Sequence, residues 1–207
     1  MSEEKPGEKY VGVKFRTQFS SKNPPDNYLI RDLLLWCRRF HEIGFAPADL
    51  AKNEIAGNMS IRTLDGCIIT PTGIPFDKLK REDFVEVTGF EIGKKENVVL
   101  ARGLREPSSE AIMHSIIYLE RPHINAVFHG HSELILKVAG QMGIPVTEKK
   151  QPYGTPDLAR EVMKILDLGN FLIMRDHGFL CYGGSPAEAG AMALKVYEKA
   201  LKVKTDG

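Results

Sequence analysis

Two histidines separated by one glycine, His129-Gly130-His131, close an apolar run from Ile124 to Phe128, and this pattern restricts the chain more than any other in it. The run reads as a β-strand. Alternate strand residues project to one face, so both imidazoles leave the strand end on the same side. A second apolar run, Phe171 to Met174, leads through Arg175 and Asp176 to His177 and Gly178, and neighbouring strand ends could bring that third ring to the same point. Three neutral imidazoles with an open position are the ligand set of a catalytic zinc. A His-x-His pair is also what an ordinary polar strand end looks like, so the pair alone leaves both readings open. Two features favour the metal: glycine or a small polar residue follows each cluster, and a candidate carboxylate, Glu110, precedes them on a predicted helix.

A site built on strand ends needs a sheet with a core behind it. The 207 residues, 43% of them hydrophobic, suffice for one domain with a sizeable core and are too few for two ordinary ones. With 28 lysines and arginines against 27 acidic residues, the net charge of +1 gives no electrostatic footprint for nucleic acid or for an acidic membrane surface. The expected partner is a small molecule. Apolar runs such as Ile112 to Leu119 fall short of a membrane span, and Met1-Ser2-Glu3-Glu4-Lys5 lacks the apolar stretch of a signal peptide. These features lead us to expect a cytoplasmic protein. Cys37, Cys67 and Cys181 are odd in number, widely spaced and set among apolar neighbours, which reads as reduced core cysteine.

Residues 1–25 are rich in Lys, Glu, Ser, Asn and Pro and read as an N-terminal extension, with residues 26–207 as the domain proper. Tyr10 to Phe19 nevertheless carries enough aromatic and β-branched residues to add an edge strand. Leu29, Leu33, Trp36, Cys37 and Phe40 recur at helical spacing, with Gly44 as a stop. Asn58–Arg62 and Cys67–Thr70 form a predicted hairpin through Asp65-Gly66, and Phe84–Thr88 and Val98–Ala101 read as further strands. Pro107 and Ser108 open a predicted helix running to about Leu119, with serine as its cap. Phe179–Tyr182 reads as a strand, and Ser185-Pro186-Ala187-Glu188 starts a last helix to about Val203. Helices bracketing a sheet of hairpins imply α/β or α+β layers.

Three segments share one further chemistry: Ala56-Gly57-Asn58-Met59-Ser60, Thr70-Pro71-Thr72-Gly73, and Ser108-Ser109 at a helix start. Each offers backbone N–H groups beside hydroxyl or amide donors, and a helix N-terminus adds a favourable dipole for an anion. Together they can cradle one phosphate without any lysine. Singly, each is also an ordinary turn or cap.

Gly57-Asn58-Met59-Ser60, Thr70-Pro71-Thr72-Gly73, Pro107-Ser108-Ser109-Glu110, His129-Gly130-His131 and Asp176-His177-Gly178 stand in the order seen in the class II aldolase/adducin family. From about Leu29 to Lys202 the chain resembles that family, most closely its fuculose-1-phosphate aldolase branch. The resemblance implies a three-layer α/β/α domain around a largely antiparallel sheet, and a homotetramer with sites between subunits. It implies zinc, or another divalent metal, on His129, His131 and His177, with Glu110 as the catalytic base that approaches the metal when substrate is absent. It assigns the substrate phosphate to Gly57, Asn58, Thr72, Gly73, Ser108 and Ser109. The reaction so implied is reversible cleavage of a ketose 1-phosphate to dihydroxyacetone phosphate and a small aldehyde, with metal stabilising the enediolate and Glu110 moving the proton.

The resemblance gives His114, four residues after Glu110, no ligand role, and we read it as a packing residue behind the site. His41 and His123 read as surface or loop positions. The segment from His131 to His177 is short, and Tyr153, the tyrosine within it, stands either at the aldehyde side or as a packing residue. A sugar-phosphate 4-epimerase of the same family resembles Ser-Asp-Thr where this chain has Ser109-Glu110-Ala111. A methylthioribulose-1-phosphate dehydratase would place its glutamate in a longer segment after His131, where Glu148 is the acid in mid-interval. A non-enzymatic adducin-like scaffold would have lost the metal ligands that this chain retains.

Overall fold

The computed structural model describes residues 12–49 and 54–205. Eight strands form one sheet: β1 (Arg16–Ser21), the strands Asn58–Arg62, Cys67–Ile69, Val85–Glu91, Val98–Arg102, Ala126–Gly130, Phe171–Met174 and Gly178–Gly183. Between the first two lies a ribbon of two short strands, Ala48–Asp49 (β2) and Glu54–Ile55 (β3), so the remaining strands number β4 to β10 in chain order. The sheet order is β1-β7-β6-β5-β4-β8-β10-β9. Every pairing in it is antiparallel except β1 on β7.

Five helices cover the two faces: α1 (Ile30–Ile43), α2 (Ala111–Glu120), α3 (Glu133–Val138), α4 (Pro156–Ile165) and α5 (Pro186–Thr205). Strand alternation divides the core accordingly. Phe179 and Cys181 of β10 join Phe40, Ile135 and Ala193 from α1, α3 and α5 on one face. Leu180 and Tyr182 of the same strand join Ile117 and Val162 from α2 and α4 on the other. The fold is therefore α/β, three-layered, around a largely antiparallel sheet, as the resemblance implies. The helices of the first face pack closely: a Cβ on Gly190 of α5 would meet the Trp36 ring of α1 at 2.4 Å.

Local chemistry accounts for most element ends. α1 stops at Gly44, whose φ of 85° is left-handed and whose N–H donates to the Phe40 and His41 carbonyls. Ser185 caps α5 by accepting from the Glu188 N–H, and the Glu188 carboxylate accepts from the Gly184 N–H in return. The β4–β5 hairpin forms as the Asp65-Gly66 signal predicts. The edge strand expected near Tyr10–Phe19 appears as β1, with Phe15 buried beside it; Tyr10 itself lies outside the described residues. Cys37, Cys67 and Cys181 are buried and unpaired, and burial pushes the Cys67 thiol up to about 12.

Two expectations need correction. The predicted serine cap of α2 is not its boundary residue: the helix begins at Ala111, with Glu110 in the N-cap position, and the Ser108 hydroxyl accepts from the Glu110 N–H two residues earlier. Glu110 thus stands just before the helix, with its carboxylate in the cleft. Helices α3 and α4 were absent from the sequence expectations. For α4 a signal exists, since Thr155 accepts from the Leu158 N–H as N-cap and Pro156 follows at the first helical position.

Candidate metal centre and anion-binding cleft

Strand β8 sits between β4 and β10, and its C-terminal end carries the site. His129 is its penultimate residue, paired in register with Asn58 of β4 and Leu180 of β10. His131 follows the strand and is held by its N–H, which donates to the Phe45 carbonyl at 2.8 Å. Gly130 separates them because the Phe179 ring lies against it; a Cβ there would meet Cζ at 2.5 Å. His177 comes from the turn that joins β9 to β10, where Asp176 adopts a left-handed φ of 54°. Asx residues tolerate that conformation.

The three rings converge, with a ligating nitrogen from each lying within 4.8 Å of the others. His129 Nδ1 lies 2.8 Å from the Phe179 carbonyl oxygen. A carbonyl can only accept, so Nδ1 carries the proton and Nε2 presents a lone pair to the site. The Nε2 atoms of His129 and His131 are 2.9 Å apart. Glu110 is 2% exposed, and its Oε2 and Oε1 stand 3.6 Å from His129 Nε2 and His177 Nε2 respectively. Oε2 accepts from Asn58 Nδ2 at 2.9 Å, whereas Oε1 is buried without a hydrogen-bond partner. An unpartnered buried carboxylate oxygen facing three imidazoles fits a divalent cation bound by the histidines.

Burial favours the neutral form of His129 and His131, the form that binds a metal. Desolvation pulls His129 and His131 well below the usual histidine range, with the neighbouring imidazoles adding to the effect. His114 behaves as the packing residue that was expected. It is fully buried, its Nδ1 lies 2.6 Å from the Ser60 hydroxyl, and that hydroxyl lies 2.8 Å from the Tyr118 hydroxyl. Burial lowers its pKa to about 4.

These histidines make stability depend on pH in a definite direction. Each takes up a proton less readily when folded than at the unfolded value near 6.5, so the unfolded state binds more protons in acid. The stabilisation is complete above pH 6.5 and is lost as pH falls toward 4 for His114, and lower still for His129 and His131. At about 1.4 kcal/mol per unit, the His114 part alone is on the order of 3 kcal/mol. Urea unfolding of metal-free protein is expected to show a clear loss of stability between pH 7 and 4.5, and His114→Asn is expected to flatten that slope; equal slopes in the two proteins would refute the assignment.

The cleft around this centre has a volume of about 460 Å³. Its walls include Gly57, Asn58, Thr72, Gly73, Ser108 and Ser109, with Glu110, the three histidines and Tyr153. Backbone pairing joins two of the anion-holding turns, since Thr72 N–H donates to the Glu106 carbonyl and Ser108 N–H to the Thr70 carbonyl, each at 3.0 Å. Gly57 and Gly73 line the cleft with left-handed φ of 86° and 77°, a conformation that residues with a side chain rarely adopt. Asp49 and Asp176 also line it, and neither is assigned a role from the sequence. Tyr153 stands beside the Ser109 segment, because a Cβ on Gly154 would meet the Ser109 carbonyl oxygen at 2.7 Å. The Tyr153 hydroxyl donates to the Gly12 carbonyl at 3.1 Å, which suits a wall residue better than a proton donor. His41 and His123 lie outside the cleft.

Residues 31–204 match the sequence profile described as the Class II Aldolase and Adducin N-terminal domain. The chain is 30% identical over 170 residues to the L-fuculose phosphate aldolase of Escherichia coli K12, covering 74% of this chain and 72% of that protein. It is 31% identical over 194 residues to the methylthioribulose-1-phosphate dehydratase of Pectobacterium carotovorum, covering 79% of this chain and 87% of that one. A solved L-fuculose 1-phosphate aldolase superposes with a TM-score of 0.67 at 25% identity, over 87% of this chain and 86% of its own.

Proposed function

The chain belongs to the class II aldolase and adducin family, and on that premise we propose that it is a zinc-dependent aldolase, reversibly cleaving a ketose 1-phosphate such as L-fuculose 1-phosphate to dihydroxyacetone phosphate and a small aldehyde. The supporting observation is that one cleft collects three convergent imidazoles, a buried carboxylate and three turns rich in N–H and hydroxyl donors. His129, His131 and His177 would hold the divalent cation, with Glu110 as a further ligand in the substrate-free state. When bound, that cation supplies Lewis-acid polarisation of the substrate's carbonyl and hydroxyl oxygens.

The chain's own groups do the rest. Gly57, Asn58, Thr72, Gly73, Ser108 and Ser109 hold the phosphate and so fix the three-carbon unit with its reactive C–H toward Glu110. Glu110 Oε1 is the free oxygen of that carboxylate, and it takes the proton from carbon in the synthetic direction and returns it in cleavage. Asn58 holds the other oxygen, which keeps the base in one orientation. The same reading makes residues 26–207 the catalytic domain of a cytoplasmic homotetramer with sites at subunit interfaces, acting on a small phosphorylated sugar without nucleic-acid or membrane partners. Among the described residues, no helix is long and apolar enough to cross a membrane.

A second reading, dehydration of methylthioribulose 1-phosphate, is favoured by the similarity to the dehydratase. Against it, Glu148 is exposed and stands outside the cleft lining. The reactions differ in what happens to carbon: an aldolase divides the chain, a dehydratase removes water and keeps it whole. Incubation of the zinc-loaded protein with dihydroxyacetone phosphate plus lactaldehyde or glycolaldehyde is expected to form a new carbon–carbon bond. No condensation there, together with an undivided dehydrated product from methylthioribulose 1-phosphate, would overturn the aldolase reading.

A further inference from the structure

His177 is held in the cleft differently from His129. The Phe179 carbonyl anchors the His129 ring through Nδ1, whereas Nδ1 of His177 is buried with no hydrogen-bond partner among the described residues. The place of the His177 ring therefore falls to the backbone of the β9–β10 turn. That turn is a demanding one, because Asp176 is the one residue with a side chain, among those described, that has a positive φ. Backbone held in that region persists where its surroundings over-determine it.

The surroundings act from two sides. After His177 the turn closes on Gly178, where a Cβ would meet the His129 ring at 2.7 Å and the Gly130 carbonyl oxygen at 2.6 Å. Before His177 the restraint comes from residues 145–149, which run along the outer edge of β9. There Ile173 N–H donates to the Pro145 carbonyl at 2.8 Å and Thr147 N–H to the Ile173 carbonyl at 2.9 Å, with Val146 beside Ile173 in parallel register. Thr147 is fully buried. It meets Arg175 twice: its hydroxyl accepts from the Arg175 N–H and its carbonyl from Arg175 Nε, each at 2.9 Å. The same hydroxyl donates to the Lys149 carbonyl at 3.4 Å, and the Lys149 N–H donates to the buried Glu161 carboxylate of α4 at 3.0 Å. The turn is thereby tied to a helix outside the site.

We propose that Thr147 is a positioning residue for the metal centre, fixing the start of the β9–β10 turn and through it the place of His177 beside His129 and His131. This rests on the reading of the three histidines as a divalent-cation site. Thr147 acts through the turn and not on the cation itself. A ligand already in place loses little freedom when the cation binds, whereas a loosened one must be ordered at that moment, at the expense of affinity.

The test titrates zinc into the metal-free full chain in competition with a chelating dye, and records the visible absorption of cobalt(II) bound in its place, which reports the ligand geometry. Thr147→Val keeps the side-chain shape and deletes the hydroxyl. It is expected to weaken zinc binding about tenfold, the lower end of the range for groups that orient metal ligands, and to change the cobalt spectrum. Thr147→Ser returns the hydroxyl and is expected to restore both. Thr147→Ala makes the same deletion without pressing a methyl group on the Arg175 N–H, and it decides the question if the valine variant does not fold. A role in folding alone would lower the thermal midpoint of the metal-free protein and leave the zinc affinity of the folded protein unchanged. A folded Thr147→Val or Thr147→Ala protein with wild-type zinc affinity and cobalt spectrum therefore overturns the assignment. Wild-type protein that binds no zinc, or whose zinc affinity survives His177→Ala, overturns instead the three-histidine reading beneath it.

Discussion

Glu110→Gln is expected to reduce turnover by about 10²–10⁴-fold, the range spanned by a positioned general base, while the protein retains its divalent metal. The amide is nearly isosteric with the carboxylate and can still accept the Asn58 hydrogen bond, which measures 2.9 Å to Oε2. Its nitrogen then occupies the place of Oε1, the oxygen that has no hydrogen-bond partner. That atom is the one free to take a proton from carbon, and an amide cannot take it. Metal retention follows because the three imidazoles are positioned by β8, by the Phe179 and Phe45 carbonyls and by the β9–β10 turn, none of which involves Glu110. Metal content and steady-state kinetics on one preparation check both halves. Unchanged turnover would remove Glu110 from the chemistry, and loss of metal with loss of turnover would make it chiefly a ligand.

The three-histidine cluster was legible because it depends on strand period and on short motifs. His129 and His131 share a face by the two-residue repeat, and the run ending at Met174 puts His177 at a strand end from which it could join them, as it does in the structure. The start of α2 at Ala111 was not legible. Ser108 carries every local mark of a cap, but its hydroxyl accepts from the Glu110 N–H ahead of the helix, and Glu110 takes the N-cap position. Helix α4 had its Thr155-Pro156 start in plain view, whereas α3, six residues long, is too short for periodicity to register. Contacts made across the sheet were beyond reach. Composition marked residues 1–25 as an extension, but it could not show that Phe15 is buried or that Lys14 stacks on a ring 139 positions later in the chain (153 minus 14).

Chelation of the divalent cation is expected to abolish activity and to lower the thermal midpoint, with both restored by added zinc. The donor set suits a cation: the Nε2 atoms of His129 and His131 lie 2.9 Å apart, and a carboxylate oxygen beside them is buried without a hydrogen-bond donor. A cation that binds the folded chain and not the unfolded one stabilises by mass action, about 4 kcal/mol when present at 1,000 times its dissociation constant. For a chain of this size each kcal/mol moves the midpoint by about 2–4 °C, so the expected shift is on the order of 10 °C. His177→Ala separates this stabilisation from nonspecific effects of metal. The variant keeps His129 and His131 on β8 but loses the ligand from the β9–β10 turn, so zinc should neither raise its midpoint appreciably nor restore turnover. Protons compete with zinc for the imidazoles, and burial lowers the affinity of His129 and His131 for them. The zinc-dependent shift should therefore persist below pH 6.5, where exposed histidines would already be protonated. A shift of equal size in His177→Ala would mean that the cation binds elsewhere, and the three-histidine site would lose its strongest support.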